Sequence, residues 1–252
     1  MAIKAVVFDA YGTLFDVQSV GAVTEIAFPG HGEVITQIWR LKQLEYSWLR
    51  ALMGAYEDFS TVTRESLAYT LETLGLLATP QRIAEIASAY DALALYPEAR
   101  RALEQLGHLR LAIFSNGSAA MLERLVAQAG IESLIETVIS VDEIGVYKPD
   151  PRGYRHVETR LGLGRDDILF VSSNGFDIAG AKAHGFEVAR IARLPPDVLH
   201  RELQDGSPLG PAQLFKALRM RPEQLGFDAD VTIAALTDLV SYAGRENGPS
   251  RG

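Results

Sequence analysis

Five consecutive residues, Asp9-Ala10-Tyr11-Gly12-Thr13, give the strongest local signal for chemistry in this 252-residue sequence. They follow the apolar, β-rich run Ala5-Val6-Val7-Phe8, so Asp9 stands at a strand tip and Gly12 marks a tight turn just after it. A carboxylate placed there projects its oxygens into a crevice and can act as a nucleophile, because carboxylates form covalent intermediates in several enzyme classes. The same residue could equally cap the turn that follows it. Three further stretches carry compatible chemistry. In Phe114-Ser115-Asn116-Gly117, Ser115 and Asn116 offer donors for an anion. Lys148 precedes Pro149, which favours an extended connection. Ser172-Ser173-Asn174-Gly175-Phe176-Asp177 closes on a second carboxylate, and Asp177 could be a general base, the N-cap of a helix starting near Ile178, or both.

The elements that must position these groups follow from the hydrophobic pattern. Continuous rather than alternating hydrophobicity at residues 5–8 predicts a strand buried on both faces, as in a parallel sheet. From Pro97 onward helix and strand patterns alternate: helix over 98–106, strand over 109–115, helix over 119–129, strand over 137–140, helix over 151–161, strand over 168–172, helix over 178–184 and strand over 188–192. This alternation predicts a doubly wound, Rossmann-like parallel α/β sheet, in which ligands sit beyond the carboxyl ends of the strands. Asp9, Ser115 and Ser172 all fall at such ends.

Residues 17–96 have a different texture and read as an inserted helical bundle without strands, leaving 1–16 and 97–252 as the core domain. The pattern predicts helices over 34–56, over 63–74 and, opened by Pro80, over 81–90. On the first of these Val34, Ile38, Leu41, Trp48 and Leu52 form one apolar stripe, flanked by Ile35, Trp39, Leu49 and Met53. So broad an arc implies two packing partners, one of them a second subunit, and so a homodimer. Arg40 falls outside the arc near Ser47, where the pattern alone implies a solvated side chain. Residues 205–222, rich in Gly and Pro before turning helical, read as an excursion from the core, residues 231–236 as a last strand, and 245–252 as a frayed tail.

Composition narrows the function. Lys and Arg number 24 against 32 Asp and Glu, a net charge of −8, which disfavours a nucleic-acid partner. Cysteine is absent, which excludes disulfides and thiol catalysis and fits a reducing cytoplasm. No apolar run approaches a membrane span, and the apolar start is too short for a signal peptide. The five histidines show no metal-ligand spacing, no Gly-x-Ser-x-Gly elbow or Walker A loop occurs, and Gly162-Leu163-Gly164 lacks the third glycine of a dinucleotide fingerprint.

Taken in order, Asp9, Ser115, Lys148 and Asp177 make a pattern that resembles the haloacid dehalogenase superfamily, and within it the L-2-haloacid dehalogenases. The superfamily's phosphatases carry Asp-x-Asp-x-Thr, whereas here Tyr11 stands two residues after the first Asp. That aromatic is the dehalogenase pattern, as are Phe114-Ser115-Asn116-Gly117, the stretch 170–177, the helix around Trp39-Arg40 to Tyr46, and Phe59 with Val62-Thr63-Arg64-Glu65. The resemblance spans about residues 3–240. It implies Asp9 as nucleophile, with Thr13 and Ser172 orienting it and Lys148 supplying positive charge beside it. Tyr154 would support Lys148 or Asp9, and Asp177 would act as base on a water placed by Asn174. Arg40, Asn116 and Phe176 would cradle the departing halide, Ser115 with nearby backbone N–H groups would hold the substrate carboxylate, and Tyr11, Leu44 and Phe59 would wall the substrate side chain. The implied reaction converts short L-2-haloacids to D-2-hydroxy acids and halide through an aspartyl ester, with inversion and with neither cofactor nor metal. The alternatives are a magnesium-dependent phosphatase of the same fold and a non-enzymatic scaffold. Leu41 and Ser60 stand where a Gln and a Trp are frequent, and Phe176 where some members have Trp, which bears on pocket size rather than on reaction type.

Overall fold

The computed structural model describes residues 3–194, 200–201, 203–204, 206, 210–219, 221–223 and 225–243. Its centre is a six-stranded, wholly parallel sheet. The strands are β1 (Ala5–Phe8), β4 (Arg110–Ser115), β5 (Thr137–Ser140), β6 (Ile168–Ser172), β7 (Glu187–Ile191) and β8 (Val231–Ile233), in spatial order β5-β4-β1-β6-β7-β8. All four residues of β1 are buried, as a central strand covered by helices on both faces requires. The register sets Phe8 beside Ile113 of β4 and Val171 of β6. The residues just beyond β1, β4 and β6 therefore share one edge of the sheet. The chain builds outward to β5 on one side of β1, then crosses to β6 on the other, so that edge lies at the topological switch point where such sheets bind ligands.

Between β1 and β4 the chain forms α1 (Gly21–Ala27), α2 (Gly32–Met53), α3 (Phe59–Thr73) and α4 (Pro80–Ala87). Asp58 caps α3 by accepting from Thr61 N at 2.8 Å, and Gly54 ends α2 in the left-handed region at φ 65°. α2 packs against α1 and α3, and the helix Pro211–Arg219 also packs on α2. A short antiparallel ribbon, β2 (Phe15–Asp16) with β3 (Ala94–Leu95), lies where the chain leaves the sheet and returns to it. The sequence shows no strand between 17 and 96; Ala94–Leu95 corrects that reading, and two residues are too short to display a period of two. After β4 come α6 (Ala119–Ala129), α7 (Pro151–Leu161) and α8 (Gly175–His184), with α5 (Ala99–Gln105) preceding β4.

The predicted spans over 137–140, 151–161 and 168–172 coincide with β5, α7 and β6. The predicted facing of α2 does not hold. Its inward side carries Ile35, Trp39, Arg40, Gln43, Leu44 and Ser47, whereas Val34, Ile38, Leu41 and Trp48 are half-buried and Leu52 is 85% exposed. The physical reason is that α2 looks partly onto the polar edge of the sheet, so Arg40, Gln43 and Ser47 turn inward beside Ile35, Trp39 and Leu44, and only the far part of the arc, Leu49, Leu52 and Met53, is exposed. Residues 205, 207–209 and 220 of the stretch 205–222, and residues 245–252, lie outside the described residues.

Candidate active site

The sheet edge gathers three charged side chains that are removed from water. Asp9, Lys148 and Asp177 are all buried. Lys148 Nζ donates to Asp9 Oδ1 at 2.9 Å, to Asp177 Oδ2 at 2.7 Å and to the Phe114 carbonyl at 3.1 Å, which uses all three ammonium protons. Asp9 Oδ2 accepts from Thr13 Oγ1 at 3.0 Å and from Asn174 Nδ2 at 2.7 Å. Asp177 Oδ1 accepts from the Tyr154 hydroxyl at 2.8 Å. Each oxygen of the two carboxylates thus has at least one donor, the condition for burying charge without an orphan.

Burial drives the Asp177 carboxyl up, against the opposing pull of Lys148 and with further repulsion from Asp9, to about 6. Burial alone would push the Lys148 ammonium down, but the Asp177 and Asp9 carboxylates more than reverse this and hold it above the ordinary lysine value. The Tyr154 phenol is pushed well up by burial and then by Asp177, and Tyr11 is pushed up chiefly by burial. Both tyrosines therefore stay neutral and can act as donors.

Thr13 is itself held by the loop after β6. Its Oγ1 accepts from Ser173 N at 2.9 Å, and Ser173 Oγ donates to the Gly12 carbonyl at 2.7 Å, with Gly12 at φ 84° as only glycine readily allows. Ser173 carries no role in the sequence reading. Two expected contacts are different in the structure. Ser172 makes no hydrogen bond to Asp9; its Oγ accepts from Asn174 N at 3.1 Å, so it shapes the loop that aims Asn174. Tyr154 meets Asp177 rather than Lys148 or Asp9. The helix after β6 also starts earlier than expected. Asn174 holds the N-cap position without a side-chain cap bond, because its amide donates to Asp9 and to the Tyr11 carbonyl, and Asp177 lies in the first turn instead of capping it.

Asp9 faces a cavity of about 10 Å³, room for one water, whose walls include Tyr11, Leu44, Phe59, Ser115, Asn116 and Phe176 together with Arg40. Asn116 Oδ1 accepts from Lys148 N at 2.8 Å, which commits that oxygen. Ser115 Oγ accepts from Gly117 N at 3.2 Å. A Cβ on Gly117 would come within 2.8 Å of the Tyr11 hydroxyl, so only glycine lets the turn and the ring approach this closely. Trp48 from α2 packs edge-on against Phe176, their centroids 5.2 Å apart. Arg40 is buried rather than solvated, with Nη1 donating to Gln43 Oε1 at 2.6 Å and no ion pair to a carboxylate among the described residues. A larger neighbouring cavity of about 290 Å³ shares Tyr11, Arg40 and Asn174 with the small one.

The arrangement sets two buried carboxylates on either side of one ammonium, with an arginine that pairs with no carboxylate among the described residues across a small cavity. It does not suit a divalent cation between the carboxylates, since the Lys148 ammonium already fills that place. Among the described residues no group of three His, Asp or Glu side chains gathers as a ligand set.

Residues 3–185 match the family model described as haloacid dehalogenase-like hydrolase. The chain belongs to that family. It is 57% identical to an (S)-2-haloacid dehalogenase of Xanthobacter autotrophicus over 94% of this chain and 93% of the relative. It is 45% identical to haloacetate dehalogenase H-2 of a Moraxella species over 76% and 86% of the two chains. Among solved structures, the X. autotrophicus L-2-haloacid dehalogenase with chloropropionic acid covalently bound superposes with a TM-score of 0.94 at 55% identity, covering 97% of this chain and all of that one. These matches place the chain in the L-2-haloacid dehalogenase branch of the family. Besides Ser173, the sequence leaves unread the role of Gln43 and Thr63, buried behind Arg40, although the three-residue spacing from Arg40 to Gln43 on one helix was available as a signal.

Proposed function

We propose that this protein hydrolyses short-chain L-2-haloalkanoic acids to D-2-hydroxy acids and halide through an aspartyl ester on Asp9. The observation that carries the reading is a buried Asp9 tied to Lys148 and, through it, to Asp177, with Arg40 and the aromatic Tyr11 across the same cavity. Displacement of a halide needs an in-line nucleophile and a cradle for an anion, but no proton for the leaving group. Tyr11 in place of a second carboxylate is consistent with that requirement.

In the first step an Asp9 oxygen attacks C2 from the side opposite the halogen. The new C–O bond forms as the C–X pair leaves with the halide, and the configuration inverts. The halide departs toward Arg40, Asn116 and Phe176. Because Asn116 Oδ1 is committed to Lys148 N, its N–H edge is the one available to the anion. The Ser115 hydroxyl accepts from Gly117 N, which leaves its proton for the substrate carboxylate. Tyr11, Leu44 and Phe59 supply the apolar wall.

In the second step water attacks the Asp9 carboxyl carbon while Asp177 takes its proton, and Lys148 steadies the oxyanion. Collapse breaks the bond between the carboxyl carbon and the ester oxygen, and the departing alkoxide takes up the proton. Asp9 regains a carboxylate containing one oxygen from water. Thr13 and Asn174 hold Asp9 throughout. The reaction draws on no cofactor.

We also propose that residues 17–96 act as a cap over a core of 1–16 and 97–252, and that two copies associate in the cytoplasm. Support for the dimer comes from the outward apolar arc of α2, where Leu49, Leu52 and Met53 are exposed. Light scattering at micromolar concentration tests it, and a monomer contradicts it. The reaction is tested by chloride release from (S)- and (R)-2-chloropropionate with excess EDTA. Release from the S isomer alone supports it; release from neither, with magnesium-stimulated hydrolysis of phosphate esters, replaces it with a phosphatase.

A further inference from the structure

Arg40 is a buried cation without a carboxylate beside it, and the groups that hold it form an uncharged chain. Its Nη1 donates to Gln43 Oε1 at 2.6 Å. Gln43 Nε2 donates to Thr63 Oγ1 at 2.8 Å, and Thr63 Oγ1 donates to the Phe59 carbonyl at 2.6 Å. Gln43, Thr63 and Phe59 are all buried, and none of the three carries a net charge.

The order of donors in this chain is determined. The Thr63 hydroxyl has one proton, and the Phe59 carbonyl can only accept, so that proton is spent on Phe59. Thr63 Oγ1 can then only accept from Gln43, which requires the Gln43 amide to present N–H to Thr63 and C=O to Arg40. The amide cannot flip without placing two donors face to face at Arg40 and losing its bond to Thr63. Arg40 is thereby anchored by a neutral oxygen, and its charge is left for an anion in the catalytic cavity. A carboxylate at position 43 would make an equally good hydrogen bond, but it would neutralise the guanidinium that the cavity needs.

We propose that Gln43, locked by Thr63, is a positioning residue that fixes the Arg40 guanidinium toward the departing halide while keeping its charge unquenched. The inference rests on the dehalogenase reading and adds a determinant of leaving-group dependence to it. Stabilisation of a developing anion weighs more for a poorer leaving group, so loss of the Arg40 field slows chloride expulsion more than bromide expulsion.

The test compares Gln43→Glu, Thr63→Val and Thr63→Ser with the unaltered protein. Ester formation is followed by intact-protein mass spectrometry in single turnovers of (S)-2-chloropropionate and (S)-2-bromopropionate, and melting temperature is measured in parallel. For Gln43→Glu the expected result is a loss of about tenfold or more on the chloro substrate with a clearly smaller loss on the bromo substrate. Thr63→Val shifts the chloro-to-bromo ratio in the same direction, and Thr63→Ser restores it. Equal losses on both substrates, tracking the melting temperature, assign a structural role only and overturn the proposal, as does an unchanged ratio in a folded Gln43→Glu protein. If Gln43→Glu does not fold, the Thr63 pair decides alone, and a Ser variant that behaves like Val overturns it. An unaltered protein that forms no ester from either haloacid overturns the dehalogenase reading instead.

Discussion

Replacing Lys148 with methionine removes the one cation between two buried carboxylates while keeping most of the side-chain volume. In the unaltered protein its ammonium lies 2.9 Å from Asp9 and 2.7 Å from Asp177. Removing one partner of a buried ion pair costs about 3–5 kcal/mol, because an uncompensated charge stays out of water. Here the remaining groups can relieve part of that cost by taking up a proton. Asp177 already stands at about 6 with Lys148 pulling it down, so losing Lys148 moves it higher. In the unfolded chain the same carboxyl titrates near the ordinary value of about 4. The native state of the variant therefore binds more protons than the unfolded state between these values. Stability must rise as pH falls through that window, by up to about 1.4 kcal/mol per pH unit for each proton taken up. Urea unfolding of Lys148→Met beside the unaltered protein at pH 5, 6 and 8 reads this out. The expected result is a deficit of about 3–5 kcal/mol at pH 8 that shrinks as pH falls toward 6 and then levels off, because below about 6 Asp177 of the unaltered protein takes up its own proton. A deficit below about 1 kcal/mol, or one that does not change with pH, refutes the claim that Lys148 holds two buried carboxylates together.

Three other expectations follow from the same geometry. Asp177→Asn removes the proposed base but leaves Asp9, so the aspartyl ester should accumulate on Asp9 while turnover falls by about 10²–10⁴-fold, visible as a mass increase of the intact chain. On the proposed mechanism ester hydrolysis needs Asp177 as carboxylate; burial with Asp9 charged raises that group to about 6, and the ester removes the Asp9 repulsion, so the deacylation rate should decline as pH drops below about 6; a rate flat down to pH 4.5 contradicts the assignment. A Cβ at Gly180 would come within 2.6 Å of Pro149 Cβ and also strike the Tyr154 hydroxyl, so Gly180→Ala should cost roughly 1–3 kcal/mol in denaturant melts and slow deacylation by displacing Tyr154 from Asp177.

Much of the site was legible because strand ends are legible. The apolar runs ending at Asp9, Ser115 and Ser172 point to one edge of a parallel sheet, and the register brings them there. What lies off that edge was harder to read. An apolar arc on α2 suggests a wholly apolar face turned to the core, yet the inner face borders charged groups and carries Arg40 and Gln43 beside Ile35, Trp39 and Leu44. Helical periodicity reports that a helix has two faces, not which of them meets water, when the site it packs on is polar. The Asn174 position shows a second limit. Asn is a favoured N-cap, but its side chain is diverted to Asp9 by a contact across 165 residues, and no local pattern encodes such a separation. The partners of Ser172 and Tyr154 were mistaken for the same reason, since a hydroxyl reaches only about 3 Å and its partner depends on packing between distant segments.

The covalent step on Asp9 is tested most directly by one turnover of excess enzyme on (S)-2-chloropropionate in oxygen-18-enriched water. If water attacks the aspartyl ester at the carboxyl carbon, the label enters Asp9 and the lactate of that first turnover carries none. Label in the lactate with an unlabelled Asp9 would mean that water displaces the halide directly, and that Asp9 is not the nucleophile.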